Sequence, residues 1–289
     1  MKKLLLLLSF ICSFSFAKNL VLTNTQVTYT IANLLTKNTD IEVKDVFETN
    51  SSMVADQTKS FVDVDKDNLK DATAVIDLQR VWNDDCLFEH VRRENIKVIE
   101  IDATYSYQDN SSLALLTDTY HEGEHEGDPN PYAYLNLNNL SKMYKIVAHD
   151  LALIFPQNAE KIQTNLNSAL KDLDDLIDEY NEIDIDGAIT LSEDLNYLTS
   201  YLNIYTNLIE YDTITKDNVK KIMADTGLKT FITERPLKKE ISDVIIKNGG
   251  KIIFIKTGAF PEEDENNDEL MQKFGLINIL KENLNELKK

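Results

Sequence analysis

Short apolar runs rich in β-branched residues alternate with segments of helical period along most of the chain. The predicted strands are 20–22, 41–47, 73–78, 97–101, 187–191, 207–211, 230–233 and 251–255. The predicted helices that separate or follow them lie near 26–37, 65–71, 84–94, 216–225, 237–248 and 268–287. Because strands that alternate with helices usually pair in parallel and are covered on both faces, the pattern predicts an α/β fold.

The segment between the two series of strands predicts one long helix that begins near Gln157. Its apolar positions recur every three or four residues, at Ile162, Leu166, Leu170, Leu173, Ile177 and Tyr180. An ordinary packed surface helix has this pattern, and so does a rigid strut between two α/β lobes. We interpret it as the strut, with a ligand cleft between the lobes at the carboxyl ends of their strands.

The start of the chain is typical of a secretory signal peptide. Two lysines precede an apolar run, 4–16, that is too short to cross a bilayer, and Ala17 suits signal peptidase. Ile11 stands where a lipoprotein needs a small residue before Cys12, so we favour cleavage and release over lipidation. The predicted organisation is signal peptide 1–17, N-terminal lobe 18–155, linker helix 156–182 and C-terminal lobe 183–289. We therefore expect a periplasmic protein that is not inserted in the membrane.

Charge and cysteine content narrow the classes of function. The formal net charge is −19, which becomes −21 when the two signal-peptide lysines are removed. This acidity argues against nucleic acid and anionic lipid as partners, because both are bound through basic patches. It suits a soluble protein or one that handles cations. Cys86 is the cysteine left after cleavage, so we expect neither a disulfide framework nor a thiolate metal site.

The stretch YHEGEHEGD at 120–128 is the clearest cluster of metal-ligand types. Its imidazole and carboxylate donors are His121, His125, Glu122, Glu124, Glu126 and Asp128. Mixed donors of this kind suit zinc and similar divalent ions, whereas a solvated polar loop is the plainer interpretation. We predict that any zinc binding depends on this loop.

Two stretches resemble a known family. The first, NPYAYLNLNNLSKMYKIVAHDLALIFPQNAEKIQTNLNSALKDLDDL at 130–176, is similar to D-P-H-x-W-L-x-P-x-N, a helix, and then D-P-x-N-A at the start of a linker helix. The second, TFITERPLKKEISDVIIKNGGKIIFI at 230–255, is similar to an F-x-E-P motif with its helix and next strand. The chain thereby resembles the periplasmic solute-binding proteins of zinc and manganese ABC transporters, the ZnuA-like family. The resemblance implies two lobes with a metal held between them by about four side chains, usually three histidines and a carboxylate.

This sequence departs from the family at those ligand positions. The residues that fall on or beside them, and that we predict to line the cleft, are Ser52 (or Met53), Tyr132, Ser192, Glu193 and Lys256. An ammonium group has no lone pair for a metal, so the usual site is expected to be absent. We predict that Lys256 faces the cleft and repels a bare cation. Hydroxyl groups with one cationic corner would suit a small anion or a chelated metal.

The function expected from these observations is a binding protein of a metal-type ABC transporter with a divergent site. Its implied partner is an inner-membrane ABC permease, its implied cargo is zinc or manganese, and we expect a monomer. An adhesin-like or metal-sensing interaction protein on the same fold is the alternative. We predict no enzymatic activity, because the chain has four histidines and lacks G-x-S-x-G and H-E-x-x-H motifs.

Overall fold

A computed structural model describes residues 19–47, 53, 57–106, 113–116, 129–259 and 270–289. The predicted signal peptide, Ser52 and the donors of the 120–128 loop lie outside the described residues. The described strands are β1 Leu20–Thr23, β2 Glu42–Asp45, β3 Ala74–Asp77, β4 Ile99–Asp102, β5 Gly187–Thr190, β6 Tyr205–Leu208, β7 Thr230–Thr233 and β8 Lys251–Phe254. The described α-helices are α1 Gln26–Leu35, α2 Lys66–Asp71, α3 Leu87–Glu94, α4 Leu137–Ile154, α5 Ala159–Tyr180, α6 Asn196–Tyr201, α7 Val219–Thr226, α8 Lys239–Lys247 and α9 Gly275–Leu287.

The described strands form two separate parallel sheets with the same strand order. The first sheet is ordered β2-β1-β3-β4 and the second β6-β5-β7-β8. The central strands pair in register, as Val21 with Ala74 and Ile189 with Phe231 show, and all four of these residues are fully buried. Strands buried on both faces read as continuous apolar runs, which is why the pattern located them. The predicted fold of two α/β lobes is confirmed.

The long helix between the sheets is α5. It begins after a short 3-10 turn at Pro156–Asn158, close to the predicted start. Its buried residues are Ile162, Leu166, Ala169, Leu173, Leu176 and Tyr180, which form one stripe at helical spacing. Asn165 donates hydrogen bonds of 2.8 Å to the carbonyl oxygens of Leu35 and Lys37, where α1 ends. The stripe therefore packs α5 against the N-terminal lobe. No helix among the described residues is long and apolar enough to span a bilayer.

Helix α4 packs along α5 and was anticipated only through the family resemblance. Its buried residues are Leu137, Asn139, Leu140, Met143, Tyr144, Ile146, Val147, Ala148 and Leu151. They extend around much of the helix, so no narrow apolar stripe marks it in the sequence.

Helix α9 connects the C-terminal sheet to the N-terminal lobe. The Tyr180 hydroxyl of α5 donates to the Leu280 carbonyl at 2.7 Å, and the Leu276 amide donates to the Thr30 hydroxyl at 3.2 Å. The helix begins at Gly275, later than the predicted 268, where a Cβ atom would lie 2.5 Å from the buried Gln26 side chain. A larger residue at 275 would therefore have to displace the end of the Gln26 side chain.

Strand β6 lies two residues before its predicted position of 207–211. Parallel pairing with β5 begins at Gly187 and Tyr205 and ends at Thr190 and Leu208. The apolar residues after Leu208 belong to the turn that leaves the sheet, so local composition alone misplaced the strand.

Candidate metal-binding cleft

Residues of both lobes meet at the carboxyl ends of the C-terminal strands. The Asn130 side chain donates to the Glu193 carbonyl at 3.0 Å, and the Leu116 amide donates to the Tyr197 hydroxyl at 2.7 Å. These contacts join the segments around 113–116 and 129–135 to the turn that follows β5. They define one wall of the interlobe cleft.

A pair of carboxyl groups lies in this cleft. Glu234 directly follows β7, and Asp194 belongs to the 3-10 turn that follows β5. Their side chains hydrogen-bond to each other, and the Ser192 hydroxyl hydrogen-bonds to Glu234. The pKa of Glu234 is raised to about 7, first by burial and then by the Asp194 charge and hydrogen bond, while Ser192 and Arg235 oppose the rise. Two carboxyl groups that share a hydrogen bond cannot both ionise without cost. One of them therefore keeps a proton unless another cation lies between them.

Tyr132 of the N-terminal lobe adds a phenol hydroxyl to the Asp194–Glu234 carboxyl pair. The Tyr132 hydroxyl donates a hydrogen bond to the Asp194 carboxylate. Burial raises the Tyr132 pKa, and the charges of Asp194 and Glu234 act in the same direction, so the phenol stays protonated. The backbone amide of Tyr132 donates to the Asn130 side chain at 2.9 Å. Tyr132 is therefore held in place by its backbone, and its hydroxyl contacts Asp194 across the lobe boundary.

A cavity of about 410 Å³ opens beside the carboxyl pair. Its lining comes from the loops that follow β5, β6 and β7: Leu191, Ser192, Glu193, Asp194, Leu208, Glu210, Tyr211, Asp212 and Arg235. The carboxyl ends of adjacent parallel strands are where α/β proteins place ligands. The lining carries four carboxylates and one guanidinium, so it favours a cation over an anion.

The N-terminal sheet carries a second carboxyl cluster at its own carboxyl end. Asp77 is fully buried, and neither of its carboxyl oxygens has a hydrogen-bond partner in the described part of the chain. Burial raises its pKa well above the usual range, and the charges of Asp85, Asp102 and Glu100 raise it further; the nearby Gln79 amide only partly offsets this. Burial and the neighbouring carboxylates therefore favour the protonated form of Asp77.

Asp85 lies beside Asp77 and is well supplied with donors. It accepts hydrogen bonds from the Asn24 side chain at 2.6 Å, the Leu78 amide at 2.8 Å and the Leu87 amide at 3.2 Å. Burial still raises its pKa to about 6, against the effect of these donors. Within the described ranges, no group of three or more His, Cys, Asp or Glu side chains could hold a metal ion. Asp77 and Asp85 are also closed off from solvent, so we interpret this N-terminal cluster as a buried structural group.

Comparison with known proteins places the chain in a family. A family model described as "Zinc-uptake complex component A periplasmic" matches residues 21–289. The chain belongs to this family. A search of curated proteins finds no match.

Solved structures agree with the family in fold. An FpvC mutant from Pseudomonas aeruginosa is 15% identical with a TM-score of 0.67, over 93% of this chain and 98% of that one. The Zn(II)-bound ZnuA-like domain of Streptococcus pneumoniae AdcA is 14% identical with a TM-score of 0.66, over 93% and 97%. A Mn-bound mutant of the periplasmic metal binding protein from candidatus liberibacter asiaticus is 13% identical with a TM-score of 0.62, over 93% and 97%. These identities establish the shared fold.

The structure groups some of the residues that the family resemblance singled out. Tyr132 and Ser192 belong to the network of Asp194 and Glu234. Glu193 is buried beside them and contributes its carbonyl to the interlobe contact. Ser52 lies outside the described residues, but its neighbour Met53 donates its amide to the Ala259 carbonyl at 2.9 Å, at the lobe boundary.

Lys256 has a partner on α9. Its ammonium lies 2.7 Å from the Glu282 carboxylate, and its backbone is held by two hydrogen bonds with the Asn283 side chain. That Lys256 faces the cleft stays a prediction, whereas Arg235 lies beside the Asp194–Glu234 pair, 3.6 Å from the Glu234 carboxylate.

Asp194 and Glu234 were missed as cleft residues at the level of sequence. Both follow strands of a parallel sheet within a few residues, and the residues there converge on the ligand side. That positional signal was available for Glu234, which comes directly after the apolar run TFIT. The family resemblance instead predicted the neighbouring Ser192 and Glu193 as cleft residues.

Proposed function

We propose that the protein is the solute-binding component of a metal-type ABC transporter and that its cargo is a divalent cation. The ion binds between Asp194 and Glu234, and manganese is the favoured metal. The single observation that carries this proposal is the hydrogen-bonded carboxyl pair, which faces the Tyr132 hydroxyl across the lobe boundary. The solved relatives whose titles name Zn(II) and Mn support the class of cargo.

The chemistry of the pair favours a metal ion as its physiological partner. A carboxyl pair that holds a proton can release it to water when a divalent cation binds, because the ion neutralises both carboxylates at once. The Ser192 and Tyr132 hydroxyls add neutral oxygen donors, and water completes the coordination of such an ion. Oxygen donors without imidazole suit manganese, magnesium or calcium better than zinc.

The position of the pair explains how binding would be passed to a transporter. Asp194 and Glu234 lie on the C-terminal lobe, whereas Tyr132 belongs to the N-terminal lobe. A cation that takes over the Asp194 carboxylate changes its hydrogen bond with Tyr132 and therefore changes the interlobe contact. An inner-membrane ABC permease that docks on both lobes in the periplasm would recognise that change.

The proposal is tested by removing both carboxylates. The double variant Asp194→Asn/Glu234→Gln is titrated with MnCl2 in a calorimeter, in a background of His121→Ala/His125→Ala so that the 120–128 loop cannot contribute. We expect the affinity for Mn²⁺ to fall at least about 100-fold. Removal of a residue that only hydrogen-bonds to a metal ligand typically costs about 10–100-fold.

The matched control is Asp217→Asn/Glu240→Gln in the same background. These two acidic residues are exposed on the same lobe, so the control makes the same change in net charge. It should keep the parent affinity within about twofold, since both side chains are exposed to solvent, which screens their charges, and neither lines the cavity. Equal affinities in both double variants would show that the ion binds elsewhere.

A further inference from the structure

Arg235 has two acceptors for its positive charge within reach. Its Nε atom lies 3.6 Å from the Glu234 carboxylate, and its guanidinium carbon lies 5.7 Å from the centre of the Tyr211 ring. The first contact places it beside the proposed cation site. The second is within the distance of a cation–π interaction, and both Tyr211 and Asp194 line the cavity.

The backbone at Arg235 and the Tyr211 ring are both held by hydrogen bonds. The buried Thr233 hydroxyl donates to the Arg235 carbonyl at 2.8 Å and accepts from its amide at 3.1 Å. The Tyr211 hydroxyl donates to the Pro236 carbonyl at 2.6 Å, which holds the ring against the same loop. The arginine side chain is 63% exposed. Backbone and ring thus form a rigid frame in which the guanidinium can turn from one acceptor to the other.

We propose that Arg235 is a built-in competitor for the divalent cation: it neutralises Glu234 in the empty cleft and withdraws onto the Tyr211 ring when the ion binds. This inference rests on the proposed function and specifies how the affinity of that site is set. A guanidinium is always charged and cannot leave by losing a proton. The ion must therefore displace it, and its return promotes release of the ion.

The two contacts predict opposite effects of substitution. Arg235→Gln removes the competitor, so MnCl2 affinity should rise about tenfold, which corresponds to ~1.4 kcal/mol. Tyr211→Leu removes the ring onto which the arginine withdraws, so affinity should fall about threefold, whereas Tyr211→Phe keeps a ring face and should change it little. In the Arg235→Gln background, Tyr211→Leu should have no further effect, because coupled residues are not additive.

The experiment measures MnCl2 dissociation constants of the whole protein by calorimetry at one ionic strength, with every variant in the His121→Ala/His125→Ala background. Arg93→Gln is the matched control, since Arg93 is an exposed arginine of α3 paired with Glu89, and it should leave the affinity unchanged. A tenfold rise confined to Arg235→Gln, with the opposite sign for Tyr211→Leu, supports the inference. If the parent and Arg235→Gln bind manganese equally, the inference is wrong while the proposed function stands; if neither binds manganese, both are wrong.

Discussion

The two lobes place carboxyl groups at the same position in sheets of the same strand order, but with different consequences. In the N-terminal lobe, Asp77 and Asp85 are 0% and 2% exposed. In the C-terminal lobe, the Glu234 side chain is 11% exposed, and Asp194 lines a cavity. The first group is sealed by the start of α3, and the second faces the other lobe.

This difference separates a structural group from a binding site. A sealed carboxyl group can change its charge only by taking up or releasing a proton, and its ionised form is costly in a low-dielectric interior. An accessible pair can replace its shared proton with a metal ion from solution. The carboxyl end of a parallel strand thus indicates where candidate binding residues lie. Their accessibility to solvent then determines which of them can bind an ion.

The largest effect on stability is expected when Asp85 is removed. Asp85→Ala removes the acceptor of two buried backbone amides and one of the two acceptors of the Asn24 side chain. Each unsatisfied buried group costs about 1–3 kcal/mol, so we expect a loss of roughly 3 kcal/mol in the free energy of unfolding. Urea denaturation at pH 5 is the suitable measurement, because Asp85 is mostly protonated there and relief of its charge adds little. The exposed Asp71→Ala is the control, and a loss no larger than the control's would contradict the sealed-cluster account.

A smaller effect of opposite sign is expected for Asp77. The raised pKa values of Asp77 and Asp85 mean that the folded state binds protons more tightly than the unfolded state. The associated stability is fully present below the unfolded pKa values and is lost as pH rises through the folded ones, about 6 for Asp85. The wild type should therefore be more stable at pH 5 than at pH 8.

Asp77→Asn replaces an acid whose protonated form is favoured by burial with a neutral amide of similar shape. It should raise the free energy of unfolding at pH 8 by about 1–2 kcal/mol and weaken its dependence on pH. Denaturant titrations at both pH values measure this, with Asp71→Asn as control. A variant less stable than the wild type at pH 8 would mean that the Asp77 carboxylate is stabilised by a partner.

Much of the fold could be predicted from local patterns, because buried parallel strands and the α5 stripe leave clear signatures. The sheet order and the site could not be predicted in the same way. Asp194 and Glu234 meet because β5 and β7 are neighbours in the sheet, which no local pattern encodes. Lys256 likewise lies beside α9 because of Glu282, which follows it by 26 residues.

The family resemblance located Tyr132 and Ser192 but could not say what replaces the missing histidines. We propose that the carboxylates of Asp194 and Glu234 replace them. Substituted ligand positions therefore leave open whether a site has been lost or rebuilt from adjacent positions, and only the tertiary arrangement distinguishes these outcomes.

The central claim is that a divalent ion binds between Asp194 and Glu234. Crystals of the wild-type protein soaked in MnCl2 test it directly through anomalous diffraction from manganese. The account predicts an anomalous peak within coordination distance, about 2.0–2.6 Å for hard cations, of carboxylate oxygens from both residues. A peak at the His121–His125 loop with none between Asp194 and Glu234 would contradict it.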